Sequence, residues 1–284
     1  MRRFLLITLG IVLALVVIGI VAREPMQREM MRRTLATGPN GPETPQSVGV
    51  PFERVQIASN GNKLDGYLVL ADAQCDDAPI ILIFHGLGET ISRWVMAQRV
   101  LHGSCVSSLV FDYTGTGNST GDPSFDAVND DIRAAYQFVR TRLPGARTYL
   151  LGHSMGNAPM LTATPELIPA PSGVIVGNAF STLRASMDRA GLQWLSWSVP
   201  DGAWDNLGAI NKVHVPVLIV VGDADKVNPP AESQALFRAA NDPKVIVELP
   251  NLSHNALYRD QNGAWWQPVL RFTEAGAPAT AQTQ

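Results

Sequence analysis

The stretch TYLLGHSMG, residues 148–156, decides the fold. Thr148–Leu151 has the composition of a buried strand, and it leads directly into Gly152-His153-Ser154-Met155-Gly156 and the small-residue start of a helix. A serine between two glycines at a strand-to-helix junction has the spacing of a nucleophile elbow, a turn tight enough to lift the hydroxyl clear of the backbone. We therefore expect Ser154 to be a nucleophile; the alternative is a glycine turn without chemistry.

Seven further apolar runs surround this strand and define the rest of the sheet. The first two flank Asn60-Gly61-Asn62 and predict an antiparallel hairpin, whereas the other five are nearly unbroken, as in strands covered on both faces. The runs are Phe52–Ala58, Leu64–Leu70, Pro79–Phe84, Ser107–Phe111, Gly173–Gly177, Val215–Val221 and Lys244–Leu249. Segments such as Ser124–Arg142 and Pro230–Ala240 carry the helical period. The alternation predicts a mostly parallel sheet with helices on both faces and active residues at the carboxyl ends of the strands.

A serine hydroxyl needs a base, and the chain contains five histidines. His254 follows the last predicted strand in LSHN, at a carboxyl end, and is the predicted base; its alternative is a solvated loop residue. The other four are assigned elsewhere: His85 to a glycine turn, His102 and His214 to structural or surface positions, and His153 to the elbow itself, where neighbouring side chains point apart.

The base needs an acid that fixes its tautomer. The strand Val215–Val221 ends in GDADKVNPP, residues 222–230, which offers Asp223 and Asp225. Asp223 is close enough to the strand to cap its own turn, whereas Asp225 lies further into the loop. The chain order serine, aspartate, histidine is also the order used by one large class of hydrolases.

Two backbone N–H groups are expected to stabilise the oxyanion. One is that of Met155, the residue after the nucleophile. The other is that of Leu87, in the turn His85-Gly86-Leu87-Gly88 after the strand Pro79–Phe84, where glycine lets the backbone approach the substrate.

Together, HGLG, FDYTGTGNS, GHSMG, GDADKVNPP and LSHN resemble the α/β-hydrolase superfamily, especially its membrane-associated esterase, lysophospholipase-like and serine-aminopeptidase-like members. The resemblance covers about Phe52–Phe272. It implies a mostly parallel eight-stranded sheet, a short helical cap, Asp225 as the acid and a structural role for Asp112. Asn228 departs from the pattern, because a valine commonly precedes the proline there. Ser154 excludes the aspartate nucleophile of some relatives, and Asn178 excludes an acid after the sixth strand.

The amino-terminal run Phe4–Ala22 carries no charge and is long enough to cross a bilayer. It exceeds a typical signal-peptide core and lacks a good cleavage site, so the sequence favours an uncleaved transmembrane helix over a cleaved signal. Arginines flank both ends of the run and compete for the inner side. We expect a single-pass protein of a bacterial inner membrane, with the catalytic domain outside the cytoplasm.

The predicted organisation is an anchor at residues 1–23, a linker at 24–51, a catalytic domain at 52–272 with a cap at about 178–214, and a disordered tail at 273–284. If the domain lies outside, Cys75 and Cys105 can form a disulfide, because both precede strands that enter at the non-catalytic edge of the sheet. The alternative is two partly buried thiols.

Composition excludes other classes of function. The formal charge of −3 argues against nucleic acid as a partner, and no Cys/His spacing resembles a metal site, so we expect neither metal nor cofactor. The expected partners are a small-molecule ester, lipid-like esters included, and the membrane through the amino-terminal helix.

The predicted cap is short and rich in large apolar side chains. Some of them are expected to line an acyl pocket over Ser154, the alternative being that they only pack the cap onto the sheet. The candidates are Phe180, Leu183, Trp194, Trp197 and Trp204. Two rival functions remain: a serine aminopeptidase, for which Asp188, Asp201 and Asp205 are the dispersed candidates to bind the substrate ammonium, and a non-catalytic binding protein of the same fold.

Overall fold

The computed structural model describes residues 2–35, 37–259 and 263–275. Its strands are β1 (Glu53–Ser59), β2 (Asn62–Val69), β3 (Ile80–Phe84), β4 (Ser107–Phe111), β5 (Thr148–His153), β6 (Gly173–Gly177), β7 (Val217–Gly222) and β8 (Lys244–Leu249). Its α-helices are α1 (Arg2–Leu35), α2 (Val95–His102), α3 (Phe125–Arg142), α4 (Asn157–Ala163), α5 (Leu183–Arg189), α6 (Asn206–Ile210), α7 (Pro230–Ala239), α8 (Ala256–Arg259) and α9 (Trp266–Ala275).

The eight strands form one sheet in the order β1-β2-β4-β3-β5-β6-β7-β8. β1 pairs antiparallel with β2, and β2 pairs antiparallel with β4, while every later pair is parallel. The predicted mostly parallel sheet is therefore confirmed. The hairpin turn consists of Asn60 and Gly61, both with positive φ, as a two-residue turn between twisted strands requires.

Helices cover both faces of the sheet because the side chains of the central strands alternate between two apolar layers. Leu82 and Phe84 of β3 join the layer under α3, α4, α6 and α7, whereas Ile81 and Ile83 join the layer under α2, α8 and α9. All of these side chains are buried. Burying both faces keeps the central strands rigid, so the loops at their carboxyl ends start from fixed positions.

The cap between β6 and β7 is small. It contains α5, a 3-10 helix at Gln193–Ser198 and α6, and an isolated bridge between Thr182 and Asp205 pairs the start of α5 with the start of α6. Near the amino-terminal ends of the parallel strands β3 and β4, a disulfide joins Cys75 and Cys105, whose Cα atoms lie 5.5 Å apart. The pairing that the sequence left open is thus formed in the structure.

The amino-terminal segment differs from the expectation of a short anchor followed by a linker. α1 continues past Ala22 through the charged segment to Leu35, whose side chain is buried in the core of the domain. In the part of the chain that the structure describes, no helix is long and apolar enough to cross a membrane, so the predicted anchor is not supported. Several side chains of the run Phe4–Ala22 are outside the described set.

At the carboxyl terminus of the chain, α9 extends to Ala275, beyond the predicted start of the tail at residue 273. Residues 276–284 lie outside the described residues.

Candidate active site

Ser154 lies at the end of β5, at the start of a 3-10 helix that leads into α4. Its φ of 52° is in the left-handed region that side chains rarely adopt, and a strained backbone of this kind is expected at a nucleophile elbow. Gly156 is required because a Cβ there would collide with the carbonyl oxygen of Phe84 at the end of β3. Asn157 holds the turn from behind, since its Nδ2 donates to the carbonyl oxygens of Ser154 and Gly177, each at 2.9 Å.

The loops after β7 and β8 bring Asp225 and His254 together. His254 Nδ1 lies 2.7 Å from Asp225 Oδ2, and the Asp225 side chain is fully buried. The other carboxylate oxygen, Oδ1, accepts from the backbone N–H groups of Val227 at 2.8 Å and Asn228 at 2.9 Å. These contacts fix the carboxylate, so that it holds the proton of the imidazole on Nδ1 and leaves Nε2 available as a base.

Asp223 has a different role from the one expected. It is exposed, and its Oδ1 accepts from the N–H of Asn251 at 2.6 Å, which ties the β7 loop to the loop after β8. The local backbone cap predicted for Asp223 is made by Asp225 instead. The reason is geometric: the N–H groups two and three residues after Asp225 point back at its carboxylate.

Ser154 and His254 line one cavity of about 460 Å³, a size typical of small-molecule sites. Among the described residues, the Ser154 hydroxyl makes no hydrogen bond to His254; such contacts often tighten only in the substrate complex. The apolar wall consists of Leu87, Met155, Phe180, Leu183, Trp204 and Val227. The polar wall adds Glu89, Arg93, Ser186, Asn228, Asn255 and Tyr258.

The two expected oxyanion donors belong to residues on this wall. Met155 is in the first turn of a helix, where N–H groups have no acceptor inside the helix. In the turn after β3, the N–H of Gly86 is already engaged, because it donates to Glu89 Oε2 at 2.8 Å. Leu87, the next residue, lies on the cavity wall and is half exposed, which fits the N–H predicted to contact the substrate.

Of the five side chains expected in the pocket, three line it: Phe180, Leu183 and Trp204. Trp194 is 67% exposed and is not part of this wall. The side chain of Trp197 is outside the described set. A larger hollow, of about 790 Å³, lies between α1 and the loops at residues 122–126 and 200–203, but it contains none of the candidate catalytic groups.

Asp112 supports the site from a distance, as the resemblance implied. It is buried, and burial raises the pKa of its carboxyl group. Oδ1 accepts from the N–H of Ile91 at 3.0 Å and Oδ2 from Asn40 Nδ2 at 2.7 Å, while His85 Nε2 lies 3.6 Å away. Asp112 therefore links the segment after the oxyanion turn to the segment that follows α1.

A second buried pair, which no sequence pattern revealed, lies behind the pair of Asp225 and His254. His153 Nδ1 lies 3.0 Å from Glu89 Oε1, and both side chains are buried. His153 Nε2 lies 2.9 Å from the carbonyl oxygen of His254, which also accepts from Asn178 Nδ2 at 2.6 Å. A signal was present in the sequence: an acidic residue follows the glycine turn, and a histidine precedes the nucleophile. Neither position reveals its partner.

Ionisation of this second pair follows from its surroundings. Burial alone would raise the pKa of Glu89, but the charge and contacts of His153 outweigh it and hold the pKa at about 2. Burial alone would lower the pKa of His153, but the Glu89 carboxylate outweighs it and raises the pKa above its ordinary value.

Comparison with known proteins finds a family model, sequence relatives and solved structures that are similar to this chain. The family model described as serine aminopeptidase, S33, matches residues 76–207. The α/β hydrolase domain-containing protein WAV2 of Arabidopsis thaliana is 25% identical over 84% of this chain and 83% of its own length. An uncharacterised protein of Mycobacterium tuberculosis is 28% identical over 79% of this chain and 80% of its own. Among solved structures, the esterase Pf2001 of Pyrococcus furiosus superposes with a TM-score of 0.68 at 16% identity, covering 85% of this chain and 98% of the esterase.

Proposed function

Because the chain belongs to the α/β-hydrolase superfamily, we propose that it is a serine hydrolase that cleaves a carboxylic ester, or a related thioester or lysophospholipid-like ester. One observation carries the proposal. The strained elbow presents Ser154 to the same cavity as His254, whose other ring nitrogen is held by the buried Asp225 at 2.7 Å. That is the arrangement of nucleophile, base and acid that acyl transfer requires.

In the proposed reaction, Ser154 Oγ attacks the ester carbonyl carbon and His254 Nε2 takes the hydroxyl proton. Asp225 stabilises the resulting imidazolium through Nδ1. The N–H groups of Leu87 and Met155 stabilise the oxyanion, each contributing about 3 kcal/mol in comparable sites. His254 then gives the proton to the leaving alcohol, and water repeats the same steps on the acyl-enzyme.

The cavity favours an ester over a peptide with a free amino terminus. An ammonium group would need an uncommitted acid near Ser154, and none of Asp188, Asp201 and Asp205 lines the cavity. Asp201 pairs with Arg184 at 2.9 Å, and Asp205 accepts from the N–H of Gly208 at the start of α6.

The charges that do line the cavity support the same preference. Glu89 is engaged by His153. The exposed Arg93 forms no ion pair within the described part of the chain, and it would repel an ammonium group. We therefore favour the esterase over the aminopeptidase suggested by the description of the family model.

The apolar wall supports a substrate with an acyl chain. Phe180, Leu183 and Trp204 of the cap meet Leu87 and Met155 there, so an acyl group attached to Ser154 would extend over apolar side chains.

The Cys75–Cys105 disulfide supports an oxidising compartment, and we accordingly propose that the domain works outside the cytoplasm. A non-catalytic binding protein of this fold would not require a strained serine beside an ordered histidine and aspartate.

The test is labelling with a fluorophosphonate followed by peptide mapping, together with hydrolysis of a series of p-nitrophenyl esters. We expect modification of Ser154, and at least about a thousandfold loss of kcat in Ser154→Ala. Ser186 lines the same cavity but is not at the elbow, so Ser186→Ala is the matched control and should label normally. Unchanged ester hydrolysis in Ser154→Ala would falsify the mechanism, and a preference for aminoacyl p-nitroanilides would favour the aminopeptidase.

A further inference from the structure

Three segments of the site meet at the buried pair of Glu89 and His153. Glu89 follows the oxyanion turn, and its Oε2 accepts from the N–H of Gly86 at 2.8 Å and from Trp94 Nε1 at 3.1 Å. His153 directly precedes the nucleophile and contacts the carbonyl oxygen of His254 at 2.9 Å. One pair therefore joins the oxyanion turn, the elbow and the loop of the base.

The partners of His153 fix the protons on its ring. Nε2 faces the carbonyl oxygen of His254 at 2.9 Å, which can only accept, so Nε2 carries a proton. Nδ1 lies 3.0 Å from Glu89 Oε1 as an ion pair, out of line for a hydrogen bond. The Glu89 carboxylate raises the pKa of His153 and so favours a second proton, on Nδ1, which makes the ring an imidazolium. The rings of Trp94 and Tyr258 pack edge-on against it, at 5.9 and 5.8 Å, and keep water out.

The position of His254 depends on this contact. Its carbonyl oxygen is held from two sides, by His153 Nε2 and by Asn178 Nδ2. Its ring lies 5.0 Å from the ring of His153, with Asp225 on the opposite nitrogen. The direction of the imidazole toward Ser154 is set by the backbone at 254 and by Asp225 together.

We infer that the Glu89–His153 ion pair is a positioning device for the catalytic histidine and the oxyanion turn: Glu89 fixes the protons of His153, His153 fixes the backbone of His254, and the same carboxylate fixes Gly86 next to Leu87. Neither residue reacts with the substrate. The inference rests on the proposed function, because it assigns His254 as the base.

Two variants of Glu89 separate the hydrogen bonds from the charge. In Glu89→Gln, the amide oxygen can still accept from Gly86 and Trp94 while the amide nitrogen donates to His153 Nδ1, so Nε2 keeps its proton for His254. In Glu89→Leu, Gly86 and Trp94 lose their acceptor and His153 can change tautomer. We expect Glu89→Leu to lower kcat about a hundredfold with KM changed less than about threefold, and Glu89→Gln to retain kcat within about tenfold.

Glu89→Gln should also change the protonation of His153. The titratable groups that face His153 are Glu89, Asp225, His254 and Tyr258. The Glu89 carboxylate raises the pKa of His153 above its ordinary value, so without it the buried ring should lose its positive charge. Because that charge lies beside the ring of His254, the acid limb of the kcat/KM profile should move to higher pH.

Asp131 supplies the matched control. It is a buried carboxylate that accepts from Ser59 at 2.6 Å and from the N–H and hydroxyl of Thr114 at 2.6 and 2.9 Å, and it does not line the cavity. Asp131→Asn and Asp131→Leu should lower the thermal midpoint without changing kcat per folded molecule or the pH profile.

Three measurements decide the inference: the thermal midpoint, the steady-state constants, and the charge of His153 from its imidazole NMR signal, assigned by its loss in His153→Gln. The NMR measurement needs no substrate, so it tests the pair even if ester hydrolysis, and with it the proposed function, fails. A folded Glu89→Leu with wild-type kcat, or a loss of activity no greater than its loss of folded protein, overturns the inference. If Glu89→Leu does not fold, a His153 whose charge is the same in wild type and Glu89→Gln overturns it instead.

Discussion

Asp225→Asn should reduce kcat about ten-thousandfold, as expected when the base is held in the wrong tautomer. The structure dictates which way the new amide would point. The N–H groups of Val227 and Asn228 hold Oδ1 at 2.8 and 2.9 Å, so the amide oxygen must stay there and the amide nitrogen must face His254 Nδ1. Nδ1 then becomes the acceptor and the proton moves to Nε2, which can no longer take a proton from Ser154. The loss corresponds to about 5.5 kcal/mol of transition-state stabilisation.

Asp223→Asn is the matched control, two residues away. In the described part of the chain, the Asp223 side chain makes one hydrogen bond: its Oδ1 accepts from the N–H of Asn251 at 2.6 Å. The amide oxygen of an asparagine can accept the same bond. Because the residue is exposed, we expect kcat to stay within about threefold of wild type.

The assay is steady-state hydrolysis of a short-chain p-nitrophenyl ester, with the rate of fluorophosphonate labelling and the thermal midpoint measured in parallel. Both variants should remain folded. The reasoning is refuted if Asp225→Asn keeps more than about a tenth of the activity, or if Asp223→Asn is the more damaging change.

The cavity, its charge and the disulfide lead to three further predictions. First, kcat/KM for p-nitrophenyl esters should rise up to about fourfold per CH₂ from acetate to a short or medium chain and then fall, and Trp204→Ala should move the maximum to longer chains; a flat profile in wild type would remove the acyl pocket. Second, Arg93→Gln should cut kcat/KM for an ester that carries a carboxylate about tenfold relative to its neutral analogue, whereas Arg93→Lys should retain the preference; equal losses on both esters would contradict a charge contact. Third, Cys75→Ser, Cys105→Ser and the double variant should each lose about 3–4 kcal/mol of unfolding free energy in urea, as expected for a closed loop of about 30 residues, and three different values would indicate another cause.

Much of the site could be predicted from sequence because its decisive features are local. A serine between glycines after a buried strand specifies the strained turn, and positive φ at Ser154 is the direct consequence. The hairpin was equally predictable, since Asn60-Gly61 accepts the two positive φ values that a two-residue turn demands. The choice between Asp223 and Asp225 was harder. It depended on resemblance, because either carboxylate could reach the loop after β8 until the backbone of the turn was placed.

The sequence by itself determined the strands, the elbow and the order of the catalytic residue types, because turn geometry and hydrophobic period depend only on neighbours in the chain. Only the tertiary structure decided the partnership of Glu89 with His153, 64 positions apart in the sequence and 3.0 Å apart in space. That contact exists because β3 and β5 are adjacent in the sheet although β4 lies between them in the chain, with Phe84 opposite Gly152. Strand order is set by packing and by which crossovers the sheet allows, and no local pattern encodes it. The same packing decided that Trp204 lines the cavity and Trp194 does not.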